Sequence, residues 1–514
     1  MDLPLPPSNA RPAGYLRLAE RYGARTIPYW HELYVSTVET RASFFSEQRS
    51  RHILPAAQWP GETDYEHLRF ALKHEGLNLP LLRVLLPKFD PAELAREVAL
   101  RPTGPYPRRI WFLYEAITTR ILDLPDAPMG NYVPLIEPGK YFTGPVRRAP
   151  RQRIAVNLLG DPGFCVMVRR SPELVSAVGK DFAARCRKVV GEFPPEIFQR
   201  ALDFLYRKET RSSFAIERET PDQRRADEFV RLLREADRTD YLSKPALVTL
   251  QNAIVEPRYV NRHGWRDAEP APDNQNFVAG QGPGSIDGVH HIPPRPQELG
   301  ALMDGWFAAS RLMLESDLHP VIAAAAIAWT FVFLHPFSDG NGRIHRFLIH
   351  HVLACRGFGP QGVIFPVSAA MLDEMRAYDA SLEEFSQPLL RLVDWMLDEN
   401  RHLHVRHDSS DFYRAIDCTR MAEALFRFVE RTIERDLPAE LTFLRGYDSA
   451  RAAMREVVEM PGPDADRFIQ FCKQNGWRLS AAKRHTGGLA KLTDDEITRL
   501  EAVVRKAFVG EQDA

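Results

Sequence analysis

HPFSDGNGRIHR, residues 335–346, packs a base, a carboxylate, a glycine-bounded turn and two arginines into one short stretch. Pro336 and the Gly340-Asn341-Gly342 run break any continuous helix, since proline lacks an N–H and glycine is costly in a helix interior. Beyond the break, Ile344, Phe347, Leu348, His351, Val352 and Cys355 recur at close to 3.6 residues, which predicts an amphipathic helix beginning near Gly342. Arg343 and Arg346 fall on its other face. A loop that hands Gly-Asn-Gly to a helix N-terminus presents free backbone N–H groups and the positive end of the helix dipole, a combination that favours phosphate. The arginines add permanently charged, fork-shaped donors. Asp339 is an oxygen ligand of the kind Mg²⁺ takes beside nucleotide phosphates. His335 titrates near neutral pH and is the natural general base. These parts make a site for a Mg²⁺-polyphosphate with a base beside it, which points to phosphoryl or nucleotidyl transfer.

The same stretch resembles the HxFx(D/E)GNGRxxR signature of the Fic (Fido) family, whose members mostly transfer AMP from ATP to protein hydroxyls, and it matches at every fixed position. The resemblance implies that His335 takes the proton from a target Ser, Thr or Tyr hydroxyl and that Phe337 anchors the loop. It implies Mg²⁺ on Asp339, phosphates cradled by Gly340, Asn341 and Gly342, and outer phosphates on Arg343 and Arg346. ATP is then the substrate and Mg²⁺ the cofactor. His345, between the arginines, is read as facing solvent. The fold implied is mainly α, a Fic-type helical core with a β-hairpin flap.

Upstream, TRSSFAIERETPDQRRADEFVRLL runs from Thr210. Thr220, Pro221 and Gln223 predict a capping box that starts a new helix. Before it, Ser213 and Glu217 lie four apart on one helical face. This resembles the (S/T)xxxE(G/N) inhibitory motif of the family, with Arg218 in place of Gly or Asn. The resemblance implies that Glu217 pairs with Arg346 where the outermost phosphate would sit, because a carboxylate offers a guanidinium the same two-oxygen geometry. From Asn274 to Pro296, two β-favourable runs flank a Gly/Pro/Asp-rich turn, a hairpin signal that resembles the family's flap. There Phe277, Val278 and Ala279 would register a target segment backbone to backbone. His290 and His291 are strand neighbours that point to opposite faces, so they do not share a metal ion. Tyr378 stands where relatives place a group near the nucleotide base, and stacking on adenine is its implied role.

The remainder sets bounds. A chain of 514 residues with 44% hydrophobic and 26% charged residues allows two to four soluble domains, and a net charge of −1 gives no overall case for nucleic acid or membrane. Val321 to Leu334 is apolar but too short for a membrane span, so it predicts a fully buried helix with Pro320 at its first position. Cys165, Cys186, Cys355, Cys418 and Cys472 are isolated and lack metal spacing, and read as buried thiols in a reducing compartment. The N-terminus MDLPLPPSNARPAG has no basic-then-apolar signal pattern, and the expected location is cytoplasmic. Residues 1–190 form an N-terminal mixed or helical extension, with helices over Tyr15 to about Phe45 and Arg108 to Leu122 and short strands between Met129 and Val168. Residues 191–400 form the core, helical beyond the motif with Pro366 and Pro388 at helix starts or breaks. Residues 401–514 are again helical, with a capped final helix after Thr493. His402, His404 and His407 read as a solvated polar segment. Asn475-Gly476 and the absence of acidic residues from Arg467 to Leu492 give a faint helix-turn-helix signal for DNA. Self-modification and a homodimer stay open. The alternatives are removal of AMP, transfer from another nucleotide donor, or a DNA-binding regulator with a nucleotide-sensing core.

Overall fold

The apolar run after Pro320 folds as a helix, Pro320–Leu334, in which every residue from Val321 to Leu334 is buried. Pro320 stands in its first turn, where a missing N–H leaves no helical bond unmade. The helix Pro296–Leu314 packs on one side of it and the motif helix, Asn341–Cys355, on the other. Trp306 joins the first two by donating to the Ile327 carbonyl at 3.1 Å and the Thr330 hydroxyl at 3.0 Å. This computed structural model describes residues 4–27, 30–39, 41–46, 49–259, 264–267, 286, 288–360, 362–399 and 402–509. The chain is mainly α-helical and divides into two compact units: Met1–Lys180, Thr210–Phe358 and Met371–Arg427 make the first, and Asp181–Glu209, Gly359–Ala370 and Phe428–Ala514 the second.

In the first unit the N-terminal residues depart from the expected long helix. Among the described residues of this stretch only Gly14–Tyr22 is helical, and the chain then forms strands His31–Ser36, Ala42–Phe45 and Ser50–Leu54. With Ala10–Pro12 these make a four-stranded sheet in which His31–Ser36 runs parallel to Ser50–Leu54, His31 opposite Ser50. Buried Leu33 and Val35 stand two apart around partly exposed Tyr34, a two-residue period, and it overrides the helical reading. The expected helix over Arg108 to Leu122 is Pro105–Thr118, closed by Thr119 in the left-handed region. The short runs after Met129 are strands as expected: Val133–Pro134, Ile154–Val156, Leu159–Asp161 and Phe164–Met167 among them. Strand Ala415–Asp417 pairs parallel to Phe164–Met167, Ala415 opposite Cys165. Pro388 lies inside the helix Met375–Leu392 rather than at a break. His402 and His404 are exposed at the antiparallel strands Trp395–Leu397 and Leu403–Val405, and share the Asp398 carboxylate at 3.2 and 3.1 Å. Of the five cysteines four are buried, while Cys355 is exposed at the end of the motif helix.

The second unit contains helices Leu437–Arg455, Gly462–Gln474 and Asp494–Val509, packed through Met454, Phe468, Cys472, Leu500 and Val504. Thr493 and Glu496 cap the last helix reciprocally, at 2.7 and 3.3 Å, as expected. The second helix of a helix-turn-helix does not follow Asn475-Gly476. Gly476 and Trp477 both take positive φ, Trp477 stacks on Phe508 at 5.0 Å, and the chain continues through turns into a 3₁₀ segment, Gly487–Lys491. Among the described residues no helix is long and apolar enough to cross a membrane.

Candidate active site

The loop begins where the buried helix ends. His335 closes that helix in the left-handed region, φ 48°, with its N–H still bonded to the Phe331 carbonyl at 3.1 Å. Arg266, itself buried, fixes the loop by donating from Nε to the His335 carbonyl at 2.9 Å and from its backbone N–H to Pro336 at 2.8 Å. Burial, with His291 and Arg266 nearby, holds the His335 imidazole well below its ordinary pKa, so it is a neutral base at pH 7. Phe337 is fully buried against Trp265, ring centroids 5.3 Å apart. The Asn341 side chain brackets it, accepting from the Phe337 N–H at 3.0 Å and donating to its carbonyl at 2.7 Å. Gly340 has φ 93°, and a Cβ there would lie 2.6 Å from Val255, so glycine is required by conformation and by space. Asp339 Oδ1 accepts from the Gly340 N–H at 2.6 Å and from Arg343 at 2.7 Å, and the Asp339 carbonyl accepts from Gln251 at 3.1 Å.

A second segment closes over this turn. The helix Pro195–Ile216 ends with the Arg218 N–H bonded to Ala215 and the Glu219 N–H to Phe214, and Arg218 at φ 56°. That is a Schellman ending, and the left-handed residue it demands is the position where Gly or Asn was expected. The ending aims two carboxylates at the motif. Glu217 Oε1 accepts from Arg346 at 2.7 Å, and a Cβ on Gly342 would lie 2.1 Å from the same oxygen, so the carboxylate rests against the first turn of the motif helix. Arg346, 1% exposed, also donates to the Ser213 hydroxyl at 2.9 Å and carbonyl at 2.7 Å. Burial opposes its charge, but Glu217 and Tyr378 beside it prevail and raise its pKa. Glu219 pairs with Arg343 and, through its other oxygen, with Arg225.

His335, Asp339, Gly340, Asn341, Gly342, Arg343 and Arg346 therefore meet Ser213 and Glu217 in one place. Phe277, Val278 and Ala279 lie outside the described residues. Tyr378 is not a free ring face for adenine: it is buried against His345 and Trp329, with its hydroxyl against Arg346, and burial raises that hydroxyl to about 12. His345, expected to face solvent, is fully buried edge-on to Trp329 at 4.5 Å, because position 345 of the motif helix points at the buried helix. The cap of the helix Gln223–Arg234 is Asp222, which accepts from the Arg225 N–H at 2.8 Å, rather than Thr220. Sequence reasoning missed Arg266 and Glu219. Glu219 carried one signal, a second acidic residue two positions past Glu217. Among the described residues no cluster of three or more metal-ligating side chains exists. Asp339 still offers one carboxylate oxygen beyond its bonds to Gly340 and Arg343, which suits a cation that takes most of its ligands from water and phosphate.

Residues 241–353, which include the whole loop and the motif helix as far as Leu353, match the Fic/DOC family, and this part of the chain is a Fic/DOC domain. The curated protein adenylyltransferase Fic of Culex quinquefasciatus is 44% identical over 73 residues, 14% of this chain and 14% of that protein. Its counterpart from Drosophila willistoni is 41% identical over 93 residues, 18% of this chain and 16% of that protein. The chain thus spans about a sixth of the length of these curated relatives or less. Among solved structures, a Fic family protein from Desulfovibrio desulfuricans G20 aligns with TM-score 0.38 at 17% identity, covering 61% of this chain and 86% of that one. A Fic domain containing signaling protein from Bacteroides thetaiotaomicron VPI-5482 aligns with TM-score 0.36 at 17% identity, covering 52% and 97%.

Proposed function

We propose that the chain is a protein adenylyltransferase that moves AMP from ATP to a protein hydroxyl and rests in an inhibited state. The observation that carries the reading is the Glu217 carboxylate seated on Gly342 and Arg346, where on this reading a phosphate oxygen would sit. Neutral His335 accepts the proton as the target oxygen attacks the α-phosphorus; the new P–O bond forms as the bond to the β-phosphate oxygen breaks, and pyrophosphate leaves. The N–H groups at the start of the motif helix, Arg343 and Arg346 take up the phosphate charge. Asp339 would hold Mg²⁺, which supplies charge neutralisation when bound.

While Glu217 occupies Arg346, the outer phosphate has no partner there, so the resting state is slow. Glu217→Gly incubated with ATP and Mg²⁺ should gain the mass of AMP on itself or on added protein substrate, several-fold faster than wild type. Glu217→Gly/His335→Ala should gain none. Equal labelling of wild type and Glu217→Gly would remove the inhibitory role, and labelling that persists without His335 would remove the base.

A further inference from the structure

Away from the motif, in the first unit, a cavity of about 80 Å³ is lined by Tyr15, Trp30, Glu75, Tyr141, Met167 and Arg169 together with Glu384, Phe385 and Asp417. Glu75 is its unusual member. One oxygen, Oε1, accepts from the Tyr15 N–H at 2.9 Å and so caps the helix Gly14–Tyr22. The other, Oε2, is buried and has no hydrogen-bond partner among the described residues. A buried carboxyl oxygen left so is costly, and a donor brought by a ligand would remove that cost.

The charge of the wall selects the ligand. Three carboxyl groups, Glu75, Glu384 and Asp417, face one guanidinium, and Arg169 is already committed to Asp417 at 2.9 Å and to the Trp30 ring at 3.7 Å. His31 adds no charge, since burial and Arg169 push it down to about 4. An anion would meet carboxylates, and a neutral apolar molecule would leave Glu75 unsatisfied. A cation with N–H donors meets the carboxyl, while the rings of Tyr15, Tyr141 and Phe385 and the Met167 thioether receive its hydrocarbon part. The volume limits it to a few heavy atoms. We propose that this cavity binds a small primary amine as its ammonium ion, with Glu75 as counter-charge. Burial and neighbouring Glu32 raise the Glu75 carboxyl to about 8, so at pH 7 it is mostly protonated and must release its proton when the ammonium arrives.

The test uses the full chain with n-butylamine, n-butanol and butyrate, three probes of one size and three charges, and needs no nucleotide, so it stands apart from the transfer reading. Calorimetry should show saturable one-to-one binding of n-butylamine, at least about ten-fold tighter than n-butanol, with no butyrate binding. Repeated in buffers of different ionisation enthalpy, it should report close to one proton released per amine bound, which a purely structural Glu75 would not give. Glu75→Gln keeps an acceptor for Tyr15 and should lose the preference for amine over alcohol. Should that variant fail to fold, titration of the wild type must still shift the Met167 methyl resonance. Absent saturable amine binding, equal binding of alcohol or acid, undiminished amine binding by Glu75→Gln, or an unmoved Met167 methyl would each overturn the proposal.

Discussion

Arg343 and Arg346 are each buried and each answered by its own glutamate, Glu219 and Glu217. A buried guanidinium needs such a partner, because an unpaired charge there costs several kcal/mol. A phosphate that displaces both carboxylates breaks two ion pairs rather than one. The Glu219 side chain is 27% exposed, which limits its pair with Arg343 to about 1 kcal/mol. Glu219→Ala is therefore expected to tighten ATP binding about five-fold, measured by calorimetry with the His335→Ala background preventing turnover. Unchanged or weaker ATP binding would strip Glu219 of this role. His345 shows how one residue escapes a local reading: its neighbours are the arginines paired with Glu219 and Glu217, but the helix turn carries it to another face, against Trp329.

At the scale of elements, the ending of the helix Pro195–Ile216 is strained at one point. Arg218 holds a left-handed conformation that costs a side-chain-bearing residue about 1 kcal/mol and glycine almost nothing. Arg218→Gly should raise the unfolding free energy by about 1 kcal/mol and, by steadying the turn that carries Glu217 and Glu219, lower basal self-labelling. A lower melting temperature would count against this account. The motif was legible because His335, Asp339, the Gly340–Gly342 turn and both arginines are contiguous, so their spacing alone places them at one helix N-terminus. The pairing of Glu217 with Arg346 was legible through the resemblance of Ser213 and Glu217 to the family's inhibitory motif, since the spacing alone fits a solvated glutamate equally well. Glu219 and Arg266 were not, since the first depends on how the chain turns after Arg218 and the second meets the loop only in three dimensions. The strand His31–Ser36 was hidden by reading its apolar residues in one long window, and the turns after Gly476 by positive-φ Trp477, which no propensity signals.

At the scale of the whole molecule, the core holds several neutral imidazoles. Burial depresses His291 and His345 to about 3 each, far below the unfolded value of 6.5. The unfolded chain therefore binds protons there that the folded chain refuses, so the contribution of these two residues to stability is level above pH 6.5 and falls as pH drops toward 3. By pH 5 these two residues together remove about 4 kcal/mol. Glu75, raised to about 8, acts in the opposite sense and returns about 2 kcal/mol over the same interval, while His31 and His319, both near 4, add to the loss. Thermal melts should drop clearly between pH 6.5 and pH 5, and a constant or rising melting temperature would contradict this sign. The carboxylate resting on Gly342 has a last consequence on the proposed reading. Glu217 is a competitor joined to its own site, and its local concentration stays fixed however dilute the protein is. The apparent affinity for ATP is then the intrinsic one scaled by the fraction of molecules in which Glu217 has swung away. A closing preference of only about 1.4 kcal/mol leaves about one molecule in ten open at any moment. Resting turnover has a floor set by that minority, and a partner that binds the open form raises it without touching the chemistry.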